Sequence, residues 1–130
     1  MPHAIAEYHA PSIDFLIENG PHIQVLVAER PTVALLDSGS RLSYVDIELA
    51  EDLGAPETGA HTVRSATGQE NLPSFGLSLR IPVLDLSLGP PLPGVPLRKQ
   101  GHFWQVIVGR DVLSAYLMTI DWRTGLIRLS

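Results

Sequence analysis

Val33-Ala34-Leu35-Leu36-Asp37-Ser38-Gly39-Ser40 carries an apolar strand straight into a carboxylate and a small polar turn. A charged group at the end of an all-apolar run is costly to desolvate, and it persists where it has partners or a chemical task. The Ser-Gly pair lets backbone approach closely, and its hydroxyl both donates and accepts hydrogen bonds. Alone, the triplet is ordinary turn chemistry. A second segment far downstream raises its weight: Val106-Ile107-Val108-Gly109-Arg110-Asp111-Val112-Leu113.

In order and separation, these two segments resemble the retropepsin-like (retroviral-type) aspartic proteases, particularly their small bacterial members. The pattern of that family is an apolar strand into Asp-Thr/Ser-Gly-Ala/Ser and then a flap hairpin. Two apolar residues, Gly-Arg-Asp/Asn and a short helix come next. Leu35-Leu36-Asp37-Ser38-Gly39-Ser40 matches the first part, and Ile107-Val108-Gly109-Arg110-Asp111-Val112-Leu113 the second. The resemblance spans roughly Pro21 to Ser130. It implies Asp37 as the catalytic residue, with Ser38, Gly39 and Ser40 supporting its loop. It also implies a substrate-binding flap whose tip is Ser65, Ala66, Thr67 and Gly68, and structural or interface roles for Gly109, Arg110 and Asp111.

The chemistry so implied needs two carboxylates about 3 Å apart, which cannot both ionise and so share one proton. One takes a proton from water, and the other hydrogen-bonds the scissile carbonyl. No metal or other cofactor is required. This chain has one Asp-Ser-Gly, so the expected solution is a homodimer with the two Asp37 residues meeting at a two-fold axis. The resemblance also has Ser38 reaching across that axis to the facing loop. In retroviral relatives, the residue matching Arg110 pairs with an acid four positions after the catalytic Asp. Here that position is Arg41, so Arg110 is expected on a backbone carbonyl, Asp46 or Asp111. Ser40 is expected to donate its hydroxyl to the Asp37 carboxylate and favour the ionised form.

Bulk properties bound the alternatives. The 130 residues suit one domain, read as a tail over 1–11 and a protease domain over 12–130. With 45% apolar and 18% charged residues, the chain reads as globular. Its net charge of −5 and scattered basic residues offer no footprint for nucleic acid. The absence of cysteine excludes disulfides, thiolate metal sites and a cysteine nucleophile. His3, His9, His22, His61 and His102 show no metal-ligand spacing. Neither a secretory leader nor an apolar membrane-spanning stretch is legible, so a cytoplasmic location is the expectation.

Turn residues split the chain into short apolar segments. Ile13 to Ile17 is an apolar run ended by Asn19-Gly20-Pro21, and His22 to Ala28 reads as a strand. A turn at Glu29-Arg30-Pro31 leads it back into Thr32 to Leu36, forming a hairpin. Ser43 to Asp46 is expected to open a helix, capped by Ser43 or Asp46 and stopped by Gly54. Phe75, Leu77, Leu79 and Ile81 alternate with smaller or polar residues, the period of a half-buried strand. Gly89 to Gly101 reads as a Pro-rich loop, and Arg110 to about Tyr116 as a short helix. The expected fold is a mainly β, retropepsin-like closed barrel with one or two short helices.

The function these readings favour is an aspartic endopeptidase acting on peptide or protein substrates. The alternative is a weakly active or inactive dimeric peptide-binding or assembly module of the same fold. A phosphorylated Asp-Ser-Gly recognition motif would need an exposed, flexible segment, which the apolar run before Asp37 opposes.

Overall fold

Alternation of apolar and polar residues builds most of this molecule, and its faces are sharply sorted. Phe75, Leu77, Leu79 and Ile81 are all buried, while Ser78 and Arg80 between them are exposed. The single strand expected there is, however, interrupted at residues 76–78, with Phe75 ending one strand and Leu79 opening the next. The computed structural model describes residues 6–130. In chain order its elements are β1 (Ala6–His9), α1 (Ile13–Asn19), β2 (His22–Val27), β3 (Arg30–Leu36), β4 (Tyr44–Asp46) and α2 (Ile47–Asp52). Then come β5 (Glu57–Ser65), β6 (Gly68–Phe75), β7 (Leu79–Ile81), β8 (Leu86–Leu88) and β9 (Leu92–Val95). The chain closes with β10 (Val106–Val108), α3 (Arg110–Leu113), β11 (Met118–Asp121) and β12 (Leu126–Leu129). The larger sheet runs β5-β6-β9-β4-β10-β3-β2-β7-β8, and a three-stranded sheet runs β1-β12-β11. This is the mainly β, curled architecture expected.

The centre of the larger sheet explains the site. β3 and β10 pair in parallel, matching Ala34 to Val106, Leu35 to Ile107 and Leu36 to Val108. β4 lies antiparallel on the far side of β10 and places Tyr44 beside Ile107. One face of these three strands buries Ala34, Val106 and Val45 completely in the core. The opposite face leaves Leu35, Ile107 and Tyr44 half-buried. Parallel neighbours end at the same edge, so Asp37 and Gly109 emerge side by side.

Several boundaries differ from the sequence reading. The β2–β3 hairpin turns at Ala28 and Glu29, both with positive φ (49° and 64°), so Pro31 lies inside β3. It is tolerated there because β10 pairs with β3 only from Ala34 onward. Tyr44 and Val45 are strand rather than helix, recruited by pairing with β10. Asp46, one of the two expected caps, accepts from the Leu49 amide at 3.0 Å, and Gly54 succeeds the helix at φ 70°. Ile13 to Ile17, assigned no helix, lies in α1. Ser12 caps α1 by accepting from the Phe15 amide, and its Leu16 is fully buried.

The stretch read as a Pro-rich loop contributes β9, which sits between β6 and β4. Gly94 within it is a packing requirement, since a Cβ there would stand 2.7 Å from the Phe75 ring and 2.9 Å from Ile47. Ala6–His9, part of the expected tail, is a strand paired antiparallel with β12 from Ala6↔Leu129 to His9↔Leu126. No helix among the described residues is long and apolar enough to cross a membrane.

Candidate active site

Asp37 continues the line of β3, its amide donating to the Val108 carbonyl at 2.9 Å. The chain then folds back on its own carboxylate. Gly39 donates its amide to Asp37 Oδ1 at 2.9 Å, and Ser40 donates its amide to the Asp37 carbonyl at 3.2 Å. A Cβ on Gly39 would sit 3.1 Å from that same carboxylate oxygen, which accounts for the small residue. Asp37 is half-buried, whereas Ser38 and Gly39 are exposed.

The second motif clamps this loop from below. Gly109 is buried, and a Cβ there would collide with the Leu42 carbonyl and lie 2.7 Å from the Ser40 carbonyl oxygen. The amides of Arg110 and Asp111 donate to the carbonyls of Ser40 and Arg41, at 2.8 and 3.1 Å. The Arg110 guanidinium donates to the Ser38 carbonyl at 2.8 Å, so of its three expected acceptors the backbone carbonyl is the one used. Asp111 instead receives the Ser43 amide at 2.9 Å and the Ser43 hydroxyl at 2.7 Å. That hydroxyl also accepts from the Gly109 amide at 3.1 Å. Asp46 is engaged elsewhere: it caps α2, receives the Arg98 amide at 2.9 Å, and is fully buried.

The two loop hydroxyls have different fates. Ser40 does not donate to the Asp37 carboxylate; its hydroxyl donates to the Leu42 carbonyl at 2.7 Å. The tight 37–42 turn brings that carbonyl within reach and turns the side chain away from the acid. The exposed Ser38 hydroxyl makes no hydrogen bond among the described residues. Ser43 is the brace that sequence reasoning missed. The sequence marks it only as a helix cap, and no local pattern could show its acceptor 68 positions away.

A groove of about 1220 Å3 opens over Asp37. Tyr44 and Ile107 line its floor, Leu72, Val95 and Leu97 form an apolar wall, and Trp104 closes one side. Trp104 is fixed twice: its indole N–H donates to the Asn19 carbonyl at 2.8 Å, and the His102 ring stacks on it at 4.2 Å. Burial pushes the Tyr44 hydroxyl above its ordinary range; nearby Arg41 opposes the rise and Asp111 adds to it. Over the groove projects the β5–β6 hairpin, whose turn is Ser65-Ala66-Thr67-Gly68, with Ser65 paired to Gly68. Ser65, Thr67 and Gly68 line the groove together with Asp37. The structure thus brings the Asp37 loop, the Gly109–Asp111 segment and the hairpin turn around one space.

No family model matches the sequence, and no curated protein matches it either. Solved structures do match in shape. A retropepsin-like aspartic protease from Rickettsia conorii aligns at TM-score 0.55 and 17% identity, covering 99% of this chain and 94% of that one. The protease of simian foamy virus aligns at TM-score 0.51 and 11% identity, covering 72% of this chain and 92% of that one. At such identities the likeness shows the fold, which is retropepsin-like.

Proposed function

Starting from a retropepsin-like fold, we propose that this chain is an aspartic endopeptidase whose active unit is a homodimer. The observation that carries the reading is the shared groove, where one half-buried carboxylate on a braced loop faces a projecting hairpin. A single chain supplies one such carboxylate, and the water-activating chemistry needs two. Bringing the exposed Ser38-Gly39 turns of two copies together would place the Asp37 side chains across a two-fold axis. The free Ser38 hydroxyl would then find its partner on the facing loop.

In the dimer one Asp37 is ionised and its partner carries the shared proton. The ionised carboxylate takes a proton from water as the oxygen adds to the peptide carbonyl. The protonated carboxyl hydrogen-bonds the carbonyl oxygen and stabilises the tetrahedral intermediate. Collapse breaks the C–N bond as the Asp37 that took the proton from water passes it to the amine nitrogen. This restores the singly protonated pair and leaves an amine and a carboxylic acid, which ionises. The hairpin turn serves as the flap that closes over the bound peptide and excludes bulk water.

Peptide-library cleavage by the purified protein, beside Asp37→Asn, tests the reading. Specific activity should fall as the protein is diluted through its dimer dissociation range, and Asp37→Asn chains should poison wild-type chains by forming heterodimers. Undiminished cleavage by Asp37→Asn would remove Asp37 from the chemistry. Constant activity per chain in the monomeric range, without poisoning, would remove the dimer.

A further inference from the structure

Charge in this molecule is sorted with respect to the groove. Arg80, Arg98, Arg123 and Arg128 each pair with carboxylates, and none of them lines it. Arg41, Arg64 and Arg110 do line it, and none has a carboxylate within salt-bridge distance among the described residues. Arg30, the remaining arginine without an acid partner, lies at the opposite end of β3 from Asp37. Arg41 and Arg110 flank the Asp37 loop, and Arg64 sits beside the hairpin turn. All three are exposed.

The groove's own acids are Asp37 and Glu70. Glu70 also lines an adjoining hollow with Lys99, Glu48 and Glu51. A chain with net charge −5 therefore sets three arginines without ion-pair partners against two acids around this groove. Elsewhere such a surface repels acidic polymers; a low-dielectric cleft of opposite sign focuses them.

We infer that the groove selects peptides carrying acidic side chains beside an apolar residue. The apolar residue occupies the space bounded by Tyr44, Ile107, Leu97 and Trp104, and the flanking carboxylates meet Arg41 and Arg64. The inference rests on the endopeptidase reading for the fate of the bound peptide, but not for binding itself.

Synthetic peptides sharing one apolar centre and flanked by Glu, Gln or Lys provide the test. Titration into the 130-residue Asp37→Asn protein by calorimetry reads binding without turnover. Affinity should fall from the Glu to the Gln to the Lys peptide, by roughly two- to fivefold for each arginine engaged. The differences should shrink as sodium chloride is raised. Replacing both residues in Arg41→Gln/Arg64→Gln should erase the preference, and Arg41→Glu/Arg64→Glu should invert it. Equal affinities, an order that survives charge reversal, or no binding by any peptide overturns the inference.

Cleavage by the wild-type chain separates the two claims. Peptides bound in the Glu-first order yet never cut would sink the endopeptidase reading and leave the inference standing. Cleavage with equal kcat/KM for the Glu and Lys peptides would do the reverse.

Discussion

The two sides of the groove are built on opposite principles. Below, residues 37–43 are tied to residues 108–111 by backbone and side-chain hydrogen bonds, with buried Ser43 and Gly109 at the junction. Above, the β5–β6 hairpin is exposed along most of β5 and the first half of β6. Its turn is closed by the Ser65–Gly68 pairing and a contact between the Ser65 and Thr67 hydroxyls. Under the proposed dimeric mechanism, a carboxylate that has to be held in place against a second one calls for the first kind of construction. Under the same proposal, a flap that admits a peptide and then covers it calls for the second. Substitutions should therefore cost more below the groove than above it.

Asp37→Asn should have the largest effect. It keeps the shape of the loop while removing the acid and base that the proposed mechanism assigns to Asp37. On that reading cleavage should fall by roughly two to four orders of magnitude with the melting temperature little changed. Coupled measurement of turnover and thermal melting checks both halves. A variant that loses its fold as well would mean the floor depends on this charge for its structure.

The same glycine substitution on the two sides sharpens the contrast. Gly109→Ala drives a methyl into the Leu42 and Ser40 carbonyls, at a cost of about 3 kcal/mol or more in urea unfolding. Gly68→Ala at the hairpin turn meets nothing within 4 Å and carries only the strain of φ 136°, about 1 kcal/mol. Equal costs at the two positions would break the comparison. Between them should fall Ser43→Ala, which strips Asp111 and the Gly109 amide of a buried partner, costing about 2 kcal/mol by the same measurement.

Ser40→Ala should be as mild as Gly68→Ala. Its hydroxyl serves the Leu42 carbonyl, so the variant should lose about 1 kcal/mol of stability and leave the pH–rate profile in place. A shifted profile would show that the hydroxyl turns toward Asp37 in the active assembly.

The legible part of this site was the part written in contiguous residues. The apolar run ending in Asp37 and the run ending in Gly109 each announce a strand and its exit, and the small residues at both exits mark close approach. The hairpin turn was legible from Thr67-Gly68. What escaped was set by partners distant in sequence. Tyr44 and Val45 have the pattern of a helix start, and only β10 makes them strand. Leu92-Pro93-Gly94-Val95 looks like loop because Pro and Gly disfavour strands, yet β4 and β6 enclose it and Phe75 fills the space a side chain would need. The cap at Ser12 was readable in principle, but the apolar run after it obscured the helical period of α1. Analogy points the Ser40 hydroxyl at a carboxylate three residues away, and local turn geometry gives it a nearer acceptor.

The parallel pairing of β3 with β10 has a consequence for how the molecule comes into being. Arg110 and the Ser38 carbonyl it holds lie 72 positions apart, and Asp111 and Ser43 lie 68 apart. Closing loops of that length costs more chain entropy than forming local hairpins such as β2–β3 and β5–β6. During synthesis, Asp37 would leave the ribosome long before the segment that braces it. The nascent chain therefore carries its acid on an unbraced turn until Gly109 to Asp111 arrive.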